Sequence, residues 1–448
     1  MIQSALLLLA TSFSPAYATE DSGTTRLPVY AVQRFDSQWV LRANEVLIEK
    51  RLRGRVLEDV AAELAGFGPS AIQAYFAILA GTVDGPTAEG ASRPSPDAID
   101  PNAVLFAALG RMNPREVAAH VAAAASGEAS IDVRLVAMRV LECVGANGGF
   151  DAWAQILDGV LPEQFSRAYV QGPCERALAA VVSRDGSSIS GLKTRLQKLA
   201  PALQPLVLRA LAASRRPQAV GVLTAFLGQS HDLDLVVLSC VGRLVEEALG
   251  DLPEEDLTWI RPFAEDTDWR VRREAMLVLG RVSDWRSHAV ITRALADEQR
   301  LVQQAAHWAL ARMTRADFAF DAGAWSTWFE HEIVWYELNG PRFERAIASQ
   351  DPADVLEGVR ELAGHTLFRH DAARTIATLL ASPQSDLVAQ VCLVLHNLRS
   401  PAACPALLAA LESVDASIRE AARATLAVIT GLELAPDPVA WKRALVGT

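Results

Sequence analysis

Cysteine is scarce, with five in 448 residues at positions 143, 174, 240, 392 and 404, and no C-x-x-C pair. That excludes a disulfide framework and the spacing of structural zinc or thioredoxin-type motifs. Positive charge is also short, 42 Lys plus Arg against 53 Asp plus Glu for a net charge of −11. A general nucleic-acid or anionic-membrane binder needs a positive field, so neither is expected, and only a local basic patch would reverse that. No G-x-S-x-G or G-x-x-x-x-G-K-[ST] stretch occurs, which removes the serine-hydrolase elbow and the phosphate-cradling loop. Strand signals are nearly absent. No apolar run reaches the roughly 20 residues that a membrane-spanning helix needs, so no transmembrane segment is expected.

The first 18 residues read as a secretory signal. Ser4 to Phe13 is a short apolar run, followed by the small-x-small signature Ala16-Tyr17-Ala18 and the polar Thr19-Glu20-Asp21-Ser22. Met1-Ile2-Gln3 supplies none of the usual positive charge. If the signal is genuine, the mature chain is periplasmic or secreted; otherwise it is cytoplasmic.

What is abundant is helical periodicity. Val271, Ala275, Val278, Leu279 and Val282 form one apolar stripe. Val302, Ala306 and Leu310 reproduce Val271, Ala275 and Leu279 a further 31 residues on, and the same shift links Leu387/Val391/Leu395 to Ile418/Ala422/Leu426. Looser copies are anchored at Pro101, Val133, Pro173, Leu203 and Leu233. Short apolar helices precede them, as at 219–227, 257–264, 288–296 and 406–411, so each unit is a helical hairpin. Alanine at the middle anchor (Ala137, Ala177, Ala275, Ala306, Ala422) lets the partner helix approach closely. Asp100-Pro101, Asp351-Pro352 and Asp437-Pro438 set an N-cap acceptor ahead of a proline whose missing N–H costs nothing there.

A longer duplication overlies the repeats. Residues 268–330 align without a gap to 384–446, a shift of 116, matching Leu279/Leu395, Ala306/Ala422, Thr314/Thr430, Asp321/Asp437 and Trp325/Trp441. Each copy ends in a helix carrying tryptophan, the expected cover for the last apolar face of a stack. Asn339-Gly340-Pro341 reads as a break. The expected organisation is a signal at 1–18, N-terminal helices and a Gly/Pro/Ser-rich loop over 19–99, a repeat block with its cap over 100–340, and a second block with the duplicated cap over 341–448. Segments 81–96, 145–149 and 183–191 are expected as loops.

The pattern D-x-x-V-R-x-x-A-x-x-x-L in Asp268/Val271/Arg272/Ala275/Leu279, and Asp415/Ile418/Arg419/Ala422/Leu426, resembles the HEAT repeat in the short form shared with phycobilisome-lyase-like repeats. The resemblance covers about residues 100 to 430. It implies an all-α, right-handed solenoid of stacked helical hairpins, usually a protein-binding scaffold. Leu235-Val236 and Val388 stand where the pattern wants arginine. Deoxyhypusine hydroxylase resembles this architecture and binds two irons through repeated His-Glu pairs. Here His331-Glu332 is a single pair, placed in the cap, and no metal or other cofactor is expected.

The remaining candidates are surface features. His365 and His370 are five apart, which does not put them on one helical face, and they read as surface residues. Cys143/Cys174 and Cys392/Cys404 could pair in an exported protein, although buried thiols are the commoner case. The basic run from Lys50 to Arg55 is either a solvated helix face or an anionic docking patch. Trp259, Trp269 and Trp285 fall near helix ends, as packing residues or as binding anchors. Arg111, Arg243, Arg281 and Arg312 recur at the end of second helices, where a cation favours the helix C-terminus. The alternative is a ligand strip: Arg243, Arg281 and Arg312 lined along one edge, flanked by Trp269 and Trp285 and engaging an acidic segment of another protein. The reading is a non-enzymatic protein-interaction scaffold without catalytic residues. Its alternatives are a HEAT-like lyase or metal-dependent hydroxylase, and a structural spacer in a cell-envelope assembly.

Overall fold

The computed structural model describes residues 37–47, 55–83, 100–145, 149–157, 164, 167–184, 189, 201–248, 252 and 254–446. The signal at 1–18 and most of the Lys50–Arg55 run and of the 81–96 and 183–191 segments lie outside them. Among the described residues there are 22 α-helices, short 3-10 turns and no strand, and the chain is an α-solenoid of helical hairpins. It divides into two compact units, 1–188 and 189–448.

In the first unit, second helices pack on second helices and first on first. Leu57–Ala65, Pro101–Arg111, Ile131–Val144 and Ala168–Arg184 make one layer; Ser37–Leu47, Ile72–Leu79, Pro114–Ala124 and Gly149–Leu157 make the other. In the second unit, Gln204–Ala213, His231–Ala248, Trp269–Arg281 and Arg300–Thr314 stack in the same way, and Glu254–Ile260, His288–Arg293 and Ala322–Ile347 belong to the opposite layer. Ser385–Leu398 and Ala416–Thr430 continue the repeat, closed by Pro438–Val446 against Cys404–Ala410.

The periodic residues do what their spacing requires. Ala137, Ala177, Ala275, Ala306 and Ala422 are all fully buried, and each flanking leucine or valine removed from water contributes about 1.5–3 kcal/mol. A side chain at Gly280 would bring its Cβ to 2.7 Å from Ala309 Cα, so only glycine admits this approach of neighbouring helices. Asp100, Asp268, Asp351, Asp415 and Asp437 each accept a hydrogen bond from the backbone N–H two residues on, the capping expected of them.

The arginine of the repeat pattern has a physical role. Arg272 donates to the carbonyls of Asp266 and Thr267, and Arg419 to those of Ser413 and Val414, at 2.9 to 3.2 Å. Both tie their helix to the turn before it. Gln303 does the same to Asp297 O at 2.6 Å. In the unit anchored at Leu233, the position after the anchor is Asp234, not Leu235-Val236, and it solves the problem with reversed polarity. Its buried carboxylate accepts from Gly228 N–H at 2.7 Å.

The break at Asn339-Gly340-Pro341 does not occur. Ala322–Ile347 is one helix of 26 residues with Pro341 inside it. An internal proline costs about 3 kcal/mol, and the flanking packing offsets it. Phe343 and Ile347 are buried in the core shared with Pro352–Gly364, Trp335 stacks on Phe343, and Asn339 Nδ2 donates to Trp335 O at 3.0 Å. Residues 100–340 and 341–448 are therefore not separated there, and the division falls at 188/189. None of the five cysteines is in a disulfide, and four of them are buried.

Candidate partner-binding surface

Trp285 follows Asp284, whose buried carboxylate is the hub of a polar network. Arg261 grips it with two hydrogen bonds of 2.8 Å, and Ser287 Oγ donates to it at 2.5 Å. Arg261 also reaches Glu254 at 2.5 Å, and Arg286 joins Glu254 at 3.1 Å. The hydrogen bond from Arg261 holds the Glu254 carboxyl below its ordinary range. It fixes the turn that presents Trp285 and Arg286.

Those two residues form one wall of a groove of about 330 Å³, completed by Ile333, Tyr336, Glu337, Phe368 and Asp371. Phe368 is buried, meets the Trp285 ring edge-on at 5.5 Å and stacks on Tyr336 at 3.9 Å. Tyr336 donates to Glu344 at 2.5 Å. An aromatic lining accompanied by Arg286, Glu337 and Asp371 suits a short amphipathic segment. Further along the Ala322–Ile347 helix, Val334 and Leu338 stand exposed.

The arginine ladder is placed differently from a solvent strip. Arg243, five residues before the end of its own helix, donates from Nη2 to Arg209 O within the preceding second helix at 2.7 Å. Arg281 lies 3.4 Å from Glu246 without a hydrogen bond aligned from its Nε, and its guanidinium is beside Gly242. Arg184 makes the same reach to Cys143 O at 2.9 Å in the first unit. Second helices stack one repeat apart, so a long cation near the C-terminal half of one reaches the backbone of the helix before it. Arg312 is the exposed member, and its guanidinium and that of Arg281 flank the Trp308 ring at 5.4 and 5.7 Å. Trp285 belongs to the groove. Trp269 is half-buried at its helix start, and Trp259 is 65% exposed.

His365 and His370 are half-buried, not open surface residues. His365 Nδ1 lies 3.0 Å from the buried Glu332 and its ring stacks on Trp335. His370 Nδ1 lies 2.8 Å from Ser400 Oγ, and burial, followed by the charges of Arg369, Arg315, Arg374 and Arg312, pushes its pKa down to about 3. Five-residue spacing across a 3-10 turn and the helix after it sends the two rings toward different buried partners. His331 is exposed, 3.9 Å from Glu332. Among the described residues no group of three His, Cys, Asp or Glu is arranged to hold a metal.

Sequence reasoning missed the residues that join the duplicated copies. Arg369, 6% exposed, donates to Met313 O and to Ser283 Oγ, and approaches Arg312 O at 3.4 Å. Thr366 donates to Thr314 O at 2.6 Å, and Arg315 donates to Asn397 O and Leu398 O at 2.7 and 2.6 Å.

The family model of HEAT repeats matches residues 257–319. No curated protein matches the chain. Among solved structures the chain is similar to an engineered protein, at 17% identity and TM-score 0.30, covering 86% of this chain and 98% of that one. It is also similar to the karyopherin Kap121p bound to the extreme C-terminus of the protein phosphatase Cdc14p, at 13% identity and TM-score 0.33, covering 88% and 48%. The chain thus spans about half of the karyopherin's length. Human deoxyhypusine hydroxylase is similar at 14% identity and TM-score 0.26, covering 71% and 98%.

Proposed function

We propose that this chain is a non-enzymatic protein-interaction scaffold whose partner docks on the 189–448 unit at the groove of Trp285, Tyr336 and Phe368. The observation that carries this reading is the groove itself. A polar network around the buried Asp284 holds Trp285 and Arg286 at its lip, and pre-organised aromatic anchors of this kind concentrate binding energy in protein interfaces. Of the five residues that sequence singles out, Trp285 and Arg312 are the ones we assign to the partner. Arg243 and Arg281 serve the stack, and Trp269 is secondary. Export remains our proposal from Ala16-Tyr17-Ala18 and places the partner outside the cytoplasm.

The test is capture of partners from the native organism on immobilised chain, followed by mass spectrometry, with wild type compared against Trp285→Ala/Arg286→Glu. A discrete protein retained by wild type and lost in the variant supports the scaffold. Equal capture by both, or a bound chromophore or tight iron in the purified chain, contradicts it.

A further inference from the structure

Where the duplicated copies meet, four arginines gather without a carboxylate. Arg369 reaches the C-terminal end of the Arg300–Thr314 helix and Ser283, just past the Trp269–Arg281 helix. Arg315 reaches the end of Ser385–Leu398, and Arg399 follows that helix directly. Arg312 completes the group, its carbonyl 3.4 Å from Arg369. None of the four forms an ion pair among the described residues, although the chain carries a net charge of −11.

The plain explanation is that cations suit helix C-termini, and it falls short in magnitude. Three such termini meet here, each equivalent to about half a negative charge, so they supply roughly one and a half charges against four. The excess is felt within the cluster. Burial, then Arg315 and Arg312, push Arg369 down to about 10, and burial with Arg399 lowers Arg315. Arg369 Nε is buried with no hydrogen-bond partner. Arg399 sits in the left-handed region at φ 46°, a conformation unfavourable for a residue with a side chain. Arg312, Arg315 and Arg399 all face solvent.

We propose that Arg312, Arg315, Arg369 and Arg399 form an anion-recognition site for an acidic segment of the protein partner. The carboxylates engage the exposed guanidiniums of Arg312, Arg315 and Arg399 in paired hydrogen bonds, and Arg369 adds a recessed charge beneath them. A long polyanion such as nucleic acid would meet the field of an acidic chain, whereas a few side-chain carboxylates need only the local cluster. Phe368 lines the aromatic groove and Arg369 is the next residue, so one peptide can engage both. This rests on the scaffold reading above.

The experiment is fluorescence anisotropy of labelled hexaglutamate with the purified full chain. Binding is expected to weaken with salt, to fall about tenfold or more in Arg312→Gln/Arg399→Gln, and to recover in part in Arg312→Lys/Arg399→Lys. Neither exposed guanidinium donates a hydrogen bond within the described fold; because Arg312 lies over the Trp308 ring, the fold is checked by far-ultraviolet circular dichroism, which should stay that of wild type. Absence of binding, equal binding by the glutamine variant, or tighter arginine-dependent binding of an oligothymidylate of equal charge overturns the proposal. Hexaglutamate binding with no Trp285-dependent partner would leave this site standing and remove the scaffold reading; partner capture without hexaglutamate binding would do the reverse.

Discussion

Residues 268–330 and 384–446 share one design and serve two purposes. In both, the cap tryptophan is fully buried and its indole N–H donates to a carbonyl six residues earlier, Trp325 to Ala319 O at 3.0 Å and Trp441 to Ala435 O at 2.8 Å. In both, a threonine at the end of the repeat helix donates back to a leucine carbonyl, at 2.7 Å for Thr314 and 2.8 Å for Thr430. The chain then leaves the first copy through Arg315 at φ 61° and the second through Gly431 at φ 72°. The second copy ends in a helix of nine residues. The first runs into a helix of 26, with Phe318, Trp328 and Phe329 around its tryptophan, and receives Thr366 and Arg369. The same cap covers its repeat helix in the second copy and is a joint in the first, where Thr366 and Arg369 dock. What makes the difference is arginine at positions where glycine would suffice for the backbone.

The comparison can be broken most forcefully at the tryptophans. Trp325→Ala and Trp441→Ala should each cost about 3–5 kcal/mol, as for other large residues in packed cores. Urea denaturation should show Trp325→Ala disturbing both copies and Trp441→Ala chiefly the last repeat. An unchanged midpoint for Trp441→Ala would remove that covering role.

Next in size is the joint itself. Arg369→Ala leaves buried carbonyls without their charged donor and should cost about 2–3 kcal/mol in the same denaturation experiment. His370 sharpens the point through pH. Its folded pKa lies well below the ordinary imidazole value of 6.5, so the unfolded chain takes up a proton that the folded chain refuses. The contribution is fully present above about pH 6.5 and is lost as pH falls toward His370's folded value, at up to about 1.4 kcal/mol per pH unit. Midpoints measured between about pH 7 and 5 should fall in wild type and fall less steeply in His370→Asn.

The smallest effect separates glycine from arginine. Gly431→Ala places a side chain in the left-handed region and should cost about 1 kcal/mol. Arg399→Gly should stay within about 0.5 kcal/mol of wild type, because relief of that strain offsets the glycine's greater unfolded freedom.

The fold was legible because it is periodic. Ala275, Ala306 and Ala422 recur at helical spacing and their burial follows from it. Both cap tryptophans were legible from the 116-residue duplication. The joint was not, since Arg369 acts on Ser283 and Met313, residues 86 and 56 positions away, and the acceptors at Met313, Asn397 and Leu398 are backbone carbonyls that no residue pattern marks. Asn339-Gly340-Pro341 misled for a related reason. Local propensity favours a turn there, and tertiary packing of Phe343 and Ile347 carries the helix through. Arg243 and Arg281 were correctly placed in register, but a register does not say whether a long side chain points to water or to the previous repeat.

The central claim is that the joint between the copies is the part of the chain that meets an acidic partner. Amide hydrogen exchange of the full chain with and without saturating hexaglutamate tests it directly. The account predicts slowed exchange at 312–315, 366–370 and 397–400, with the first unit unchanged. Protection confined to the first unit, or exchange identical with and without peptide, would contradict it.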